Sequence, residues 1–144
     1  KATFEYVSSN EKVISVADGV ITAHDSGTAI VSVKVNLNGY SVTSNQLSIK
    51  VTPSIESIEL LVDGYVNDGS IEQPLASQLS NSLEQAKHQL DKGHKEQAIK
   101  KLNDFRIHLK NKAMDTFIED EVKKILITDT NVLLETWIKN LSNR

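Results

Sequence analysis

The chain has 144 residues, 39% of them hydrophobic, with 16 Lys and Arg against 19 Asp and Glu, giving a formal net charge of -3. That length holds one ordinary domain or two small ones with modest cores, and the acidic balance is the wrong sign for a nucleic-acid partner. With no cysteine in the chain, disulfides, thiolate metal sites and a cysteine nucleophile are excluded. No apolar run approaches the roughly 20 residues that span a bilayer, so no membrane partner is expected. The opening Lys1-Ala2-Thr3-Phe4 lacks an initiator Met and an export-signal apolar segment, so the expectation is a chain that begins inside a larger polypeptide with further domains upstream.

The period of the apolar residues changes at Pro53. Before it they alternate as in strands; after it they recur every three or four residues as in amphipathic helices. Two modules are therefore expected, an all-β one at residues 1–52 and an all-α one at residues 54–144. In the first, strands are predicted at residues 3–7, 13–16, 20–23, 28–35 and 46–51. Asp18-Gly19 and Asn38-Gly39 mark tight turns, because Gly accepts the positive φ that such turns require. Across residues 28–35, Ala29, Val31, Val33 and Val35 share one face and Thr28, Ser32 and Lys34 the other, so one face is buried, as in a sandwich.

The order Ser8-Ser9-Asn10, Val13-Ile14-Ser15-Val16, Asp18-Gly19-Val20-Ile21-Thr22-Ala23 and Ser26-Gly27-Thr28-Ala29-Ile30-Val31-Ser32-Val33 resembles a bacterial immunoglobulin-like domain of group 2. It departs from that pattern at both ends. The family's first strands would precede Ala2, and residues 37–44 are longer than the usual ending. The expectation is an incomplete immunoglobulin-like sandwich whose raw edge needs cover.

After the proline, Ser54 is a candidate N-cap for a first helix at about residues 55–66, with Ile55, Ile58, Leu61, Val62, Tyr65 and Val66 on one stripe. Ser70-Ile71-Glu72-Gln73 has capping-box spacing and is expected to start a second helix. That helix carries Leu75, Leu79, Leu83, Ala86 and Leu90 and stops at Gly93. A third, about residues 95–111, carries Ala98, Ile99, Leu102, Phe105 and Leu109 and turns back on the second as an antiparallel hairpin. A fourth and a fifth are expected at about 116–126 and 131–141, for a bundle of about five helices.

Residues 61–137 resemble the FIMAH domain. The resemblance rests on Asn81-Ser82-Leu83, Gln85-Ala86, Gln89-Leu90-Asp91-Lys92-Gly93, Gln97-Ala98-Ile99, Leu102, Phe105, His108-Leu109 and Asn111-Lys112-Ala113-Met114, preceded by Leu61-Val62, Gly69 and Ile71. It implies an extracellular accessory module near the C-terminus of a secreted enzyme of bacilli or relatives, beside a glycoside hydrolase, polysaccharide lyase or protease domain. The family offers no catalytic motif to carry over, so no catalytic or cofactor-binding residue is assigned.

The residues themselves agree that chemistry is scarce. There is no Gly-x-Ser-x-Gly, His-Glu-x-x-His or phosphate loop. His94-Lys95-Glu96 has the His-x-Glu spacing of a deaminase without the cysteines that such a site needs. His88, His94 and His108 would form a nitrogen-rich metal site if the hairpin brought them together; as amphipathic side chains beside the apolar seam they need no metal. The stretch 63–71 resembles a calcium loop, yet only Asp68 falls on a ligand position, and a helix end followed by a helix start explains it. Asp18 and Asp25 are turn residues first. No metal or cofactor is expected.

Charge is more informative. Six acids and no base lie between Ser54 and Glu84, and eight bases against three acids lie between Lys87 and Lys112. Lys87, Lys95, Lys100, Lys101, Arg106 and Lys110 are either a solvated face or a basic strip for an anionic polymer such as wall teichoic acid or an acidic polysaccharide. Among the aromatics, Trp137, Phe105 and Phe117 read as core, whereas Tyr6, Tyr40 and Tyr65 are candidate sugar platforms. The expected function is a monomeric, non-catalytic, secreted or cell-surface accessory region that positions an upstream carbohydrate-active or other hydrolytic enzyme by binding carbohydrate or cell envelope. The alternative is a structural spacer or docking module that stabilises the parent's catalytic domain.

Overall fold

A computed structural model describes residues 1–142. The chain divides into two compact units, Lys1–Thr52 and Pro53–Arg144.

The first unit is built entirely of antiparallel strands: β1 (Thr3–Ser8), β2 (Ile14–Ala17), β3 (Val20–Ala23), β4 (Gly27–Leu37), β5 (Tyr40–Thr43) and β6 (Leu47–Val51). The long β4 organises it. β1 pairs with β4 in a register that sets Phe4 against Val35 and Tyr6 against Val33. β5 takes the C-terminal part of β4 and β6 the N-terminal part, with Val42 against Val35 and Ile49 against Ala29. β2 and β3 form a separate hairpin.

Both two-residue turns have positive φ at each central residue, 51° and 79° at Asp18 and Gly19, and 50° and 84° at Asn38 and Gly39. This type I′ geometry matches the right-handed twist of the flanking strands. The second of these hairpins creates β5, a strand absent from the predicted set.

The core of this unit is small: Val13, Ile14, Ala29 and Val31, with Val16, Ile49 and Val51 packed against it. The alternation of β4 places Ala29, Val31, Val33, Val35 and Leu37 on one face. Only its Ala29 and Val31 end is buried, by the residues at the start of the β2–β3 hairpin. At the other end, on the same face, Phe4, Tyr40 and Val42 are 63%, 79% and 68% exposed.

The second unit is helical: α1 (Ile55–Asn67), α2 (Leu75–Asp91), α3 (Lys95–Lys110), a 3₁₀ segment (Lys112–Phe117) and α4 (Asp120–Ser142). Ser54 caps α1 through a reciprocal pair in which the Ser57 amide donates to Ser54 Oγ at 3.1 Å and the Ser54 amide to Ser57 Oγ at 2.8 Å, leaving two fewer orphan donors. α2 ends in a Schellman motif: the His94 amide bonds the Gln89 carbonyl and the Gly93 amide the Leu90 carbonyl, both at 2.9 Å, with Gly93 at φ 77°. Gly meets that conformation without a Cβ penalty, and α3 returns antiparallel after three residues.

Two expectations fail here. The expected box at Ser70 does not cap α2, because residues 70–72 are already committed to pairing: Ile71 bridges Ile118, the Glu72 amide donates to Phe117 O and the Glu119 amide to Ser70 O. The helix starts after Pro74, and Gln73 Oε1 caps it by accepting from the Ser77 amide and hydroxyl at 3.3 and 2.7 Å. A residue without an N–H is well suited to a helix start.

The predicted fourth and fifth helices are also different in form: a 3₁₀ segment precedes one unbroken helix of 23 residues. Residues 127–130, left between the two predicted helices, stay helical. Thr130 Oγ1 donates to the Leu126 carbonyl one turn back at 2.6 Å, so a buried hydroxyl is satisfied inside the helix.

One apolar cluster joins all four α-helices. Ile55, Ile58, Val62, Leu75, Leu79, Leu83, Ala86, Leu102, Phe105, Leu109, Val122, Leu126, Leu133 and Leu134 belong to it, and Ile71 and Ile118 join from the bridge. Phe117 and Trp137 pack against it as partly buried side chains, the packing role read for them.

Candidate functional site

The cationic side chains of the hairpin do not form one strip. A helix turns by 100° per residue, so bases spaced unevenly along α3 are sent to different sides. Lys100, Arg106 and Lys110 line a groove of about 470 Å³ against α4, together with Ile99, Asn103, Asn131, Leu134, Glu135 and Ile138. Lys101 lines a second groove with Glu84, Gln85, His88 and Gln89 of α2. Lys95 lies in a recess at the α2–α3 turn with Gly93, His94, Glu96 and Gln97.

Lys87 is on α2 and is taken by α1. Its ammonium donates to Glu59 Oε2 at 2.9 Å. That hydrogen bond and the attraction of Glu59 hold Lys87 above the ordinary lysine value of 10.5. Lys87 is therefore a neutralised charge between two helices.

The α3–α4 groove is the most developed of these features. Arg106 reaches across it: Nη1 donates to Asn131 Oδ1 at 3.0 Å, and Nη2 to Asn103 Oδ1 on its own helix. Both acceptors are neutral amides, so the guanidinium is oriented without being discharged. Glu135 is the one carboxylate in the lining, against three cations. Ile99, Leu134 and Ile138 supply an apolar wall, and Ile138 is 51% exposed.

Sequence reasoning missed Asn103, Asn131 and Ile138. Asn103 was legible in principle, since a residue three before Arg106 lies on the same helix face. Asn131 was not, because its place opposite Arg106 depends on α4 running unbroken through it.

The histidines do not converge. His88 lies in the groove with Lys101, His94 sits at the turn with Nδ1 3.1 Å from Gln89 Oε1, and His108 is in the last turn of α3. Among the described residues, no group of three or more His, Asp or Glu is placed to hold a metal ion. Asp68, the residue of the loop at 63–71 that falls on a ligand position, is instead the C-cap of α1, its amide donating to the Gly64 carbonyl at 3.0 Å while its Oδ1 accepts from the Ser70 amide at 2.9 Å. Hydrogen bonds from the Ser70 side chain and amide hold its carboxyl below the usual 3.8.

The tyrosines separate by unit. Tyr6 and Tyr40 lie in the strand unit, opposite Val33 and Leu37, and their side chains share one sheet face with Phe4. Tyr65 is in α1, partly buried against the helical core, so packing takes much of its ring. Among the described residues, no helix is long and apolar enough to cross a membrane.

A helical hairpin clasped by one preceding and one following helix defines a small all-α domain. A family model for the FIMAH domain matches residues 55–135, more than half of the chain, and the chain belongs to that family, with its helical unit as an accessory domain. No match was found among curated proteins.

Proposed function

We propose that this chain is the non-catalytic accessory region of a secreted bacterial enzyme, of the kind found in bacilli, that acts on carbohydrate or another polymer. Its helical domain holds the parent near an anionic glycan or cell-envelope polymer. The observation that carries this reading is the convergence of Lys100, Arg106 and Lys110 on one groove that contains a single carboxylate, Glu135. Opposite charge at such a groove raises the local concentration of an anionic chain, and several weak contacts along a polymer add up.

The strand unit serves as a spacer in this reading, an immunoglobulin-like module as its residues resemble. The test is retention of the whole chain on purified cell walls and on a panel of acidic and neutral polysaccharides. Retention by acidic polymers, lost as salt rises, is expected; no retention by any of them at low salt contradicts the proposal.

One observation favours a second reading, a docking module within the parent polypeptide. The sheet face bearing Phe4, Tyr40 and Val42 is apolar and open, and such patches mark contact surfaces. Removing residues 1–142 from the parent then lowers its melting temperature. In the targeting role, removal lowers activity on insoluble substrate alone.

A further inference from the structure

We infer that the α3–α4 groove is a subsite for a uronate, the carboxylate-bearing sugar of an acidic polysaccharide. The inference rests on the polymer-binding reading above and names the chemistry of its ligand.

Three features of the groove select that ligand. The first is the guanidinium of Arg106. It carries five N–H donors, and the Asn103 and Asn131 carbonyls engage one nitrogen each. Donors remain for a carboxylate, and the planar fork matches that planar anion in two parallel bonds. Holding the fork in place beforehand reduces the ordering cost when the ligand arrives.

The second is the charge around it. Lys100 and Lys110 flank Arg106, and Glu135 offsets one of the three. The remaining excess is positive, so the groove favours one anionic group per sugar and repels none of the chain's neutral hydroxyls. The Asn103 and Asn131 amides, whose oxygens face Arg106, keep N–H donors for those hydroxyls.

The third is the wall of Ile99, Leu134 and Ile138, with half of Ile138 exposed. The C–H face of a pyranose covers such a surface, whereas a flexible poly(glycerol phosphate) chain has no apolar face to offer. The volume, about 470 Å³, lies within the range of ligand pockets, about 300–1,000 Å³.

The test uses the whole chain and measures affinity for polygalacturonate, for the same polymer with its carboxyls methyl-esterified, and for poly(glycerol phosphate). Polygalacturonate is expected to bind at least about tenfold tighter than its ester, since charge-assisted hydrogen bonds are lost on esterification. Arg106→Gln is expected to weaken that binding by a similar factor. Lys110→Gln, which leaves the Asn103 and Asn131 contacts untouched, weakens it less, and Lys101→Gln, on the other side of α3, leaves it unchanged.

Equal affinity for the polymer and its ester overturns the inference, as does a preference for poly(glycerol phosphate). So does polygalacturonate binding that neither Arg106→Gln nor Lys110→Gln weakens. In the last two cases the anionic-polymer role survives with a different ligand or site, whereas equal affinity for polymer and ester removes the charge-based role as well. No binding to any of the polymers removes both.

Discussion

Lys87 of α2 donates to Glu59 of α1 at 2.9 Å, tying the first helix to the hairpin through one ion pair. Glu59 raises the Lys87 pKa above 10.5. A raised folded-state pKa means that the pair's contribution is complete below the unfolded value and is lost as pH rises through the folded one. Thermal melts of the chain and of Lys87→Met should therefore differ below pH 10.5 and converge only as pH rises through the raised Lys87 value above it. Both side chains are over a third exposed, so the expected difference is small; an equal gap at every pH contradicts the pairing.

The single apolar cluster of the helical unit predicts where substitution is most damaging. Phe105 is fully buried in this cluster, to which all four α-helices contribute. Phe105→Ala should cost about 3–5 kcal/mol, the transfer term plus an unfilled cavity. Urea unfolding followed by far-ultraviolet circular dichroism measures it, and a loss under about 1 kcal/mol is inconsistent with that packing.

Backbone conformation, with no packing change, is tested at Gly39. Its φ is 84°, and a Cβ built there meets nothing within 4 Å. Gly39→Ala should still destabilise the strand unit by about 1–2 kcal/mol, because an L side chain disfavours the left-handed region. Hydrogen exchange at the amides of β4 and β5 reports the change, and unaltered protection contradicts the turn assignment.

These two turns show how much of the fold was readable. Asp18-Gly19 announced its hairpin, and Asn38-Gly39 carried the same signal. Tyr40-Ser41-Val42-Thr43 alternates as a strand, yet it is exposed throughout, so there was no buried partner pattern to draw attention to it. The helices up to Lys110 were legible because their apolar stripes are regular and their stops are glycines.

The rest depended on distant pairing. Ser70 looked like a cap, but its carbonyl is used by Glu119; Thr130 lay between the two predicted helices, but its hydroxyl is satisfied by Leu126 inside one continuous helix. The basic residues were visible in the text and their grouping was not. Lys100 and Lys101 are neighbours in sequence that face different grooves, and the Asn131 contact needs α4 to be continuous.

The open sheet face yields a prediction of much smaller magnitude than that for Phe105. Tyr40 and Val42 are 79% and 68% exposed, so Tyr40→Ser with Val42→Thr should change stability by only a few tenths of a kcal/mol to about 1 kcal/mol. The same pair of changes should reduce binding of a hydrophobic dye. A large loss of stability in the isolated chain would show that this face is covered.

The central functional claim is that the helical domain holds its target by charge at the α3–α4 groove. Co-sedimentation of the whole chain with an insoluble acidic polysaccharide, at about 0.01 M and about 1 M salt, tests it directly, because the Debye length falls from about 30 to about 3 Å between them. The chain should pellet with the polymer at the lower concentration and remain in the supernatant at the higher. Pelleting to the same extent at both, or at neither, contradicts the claim.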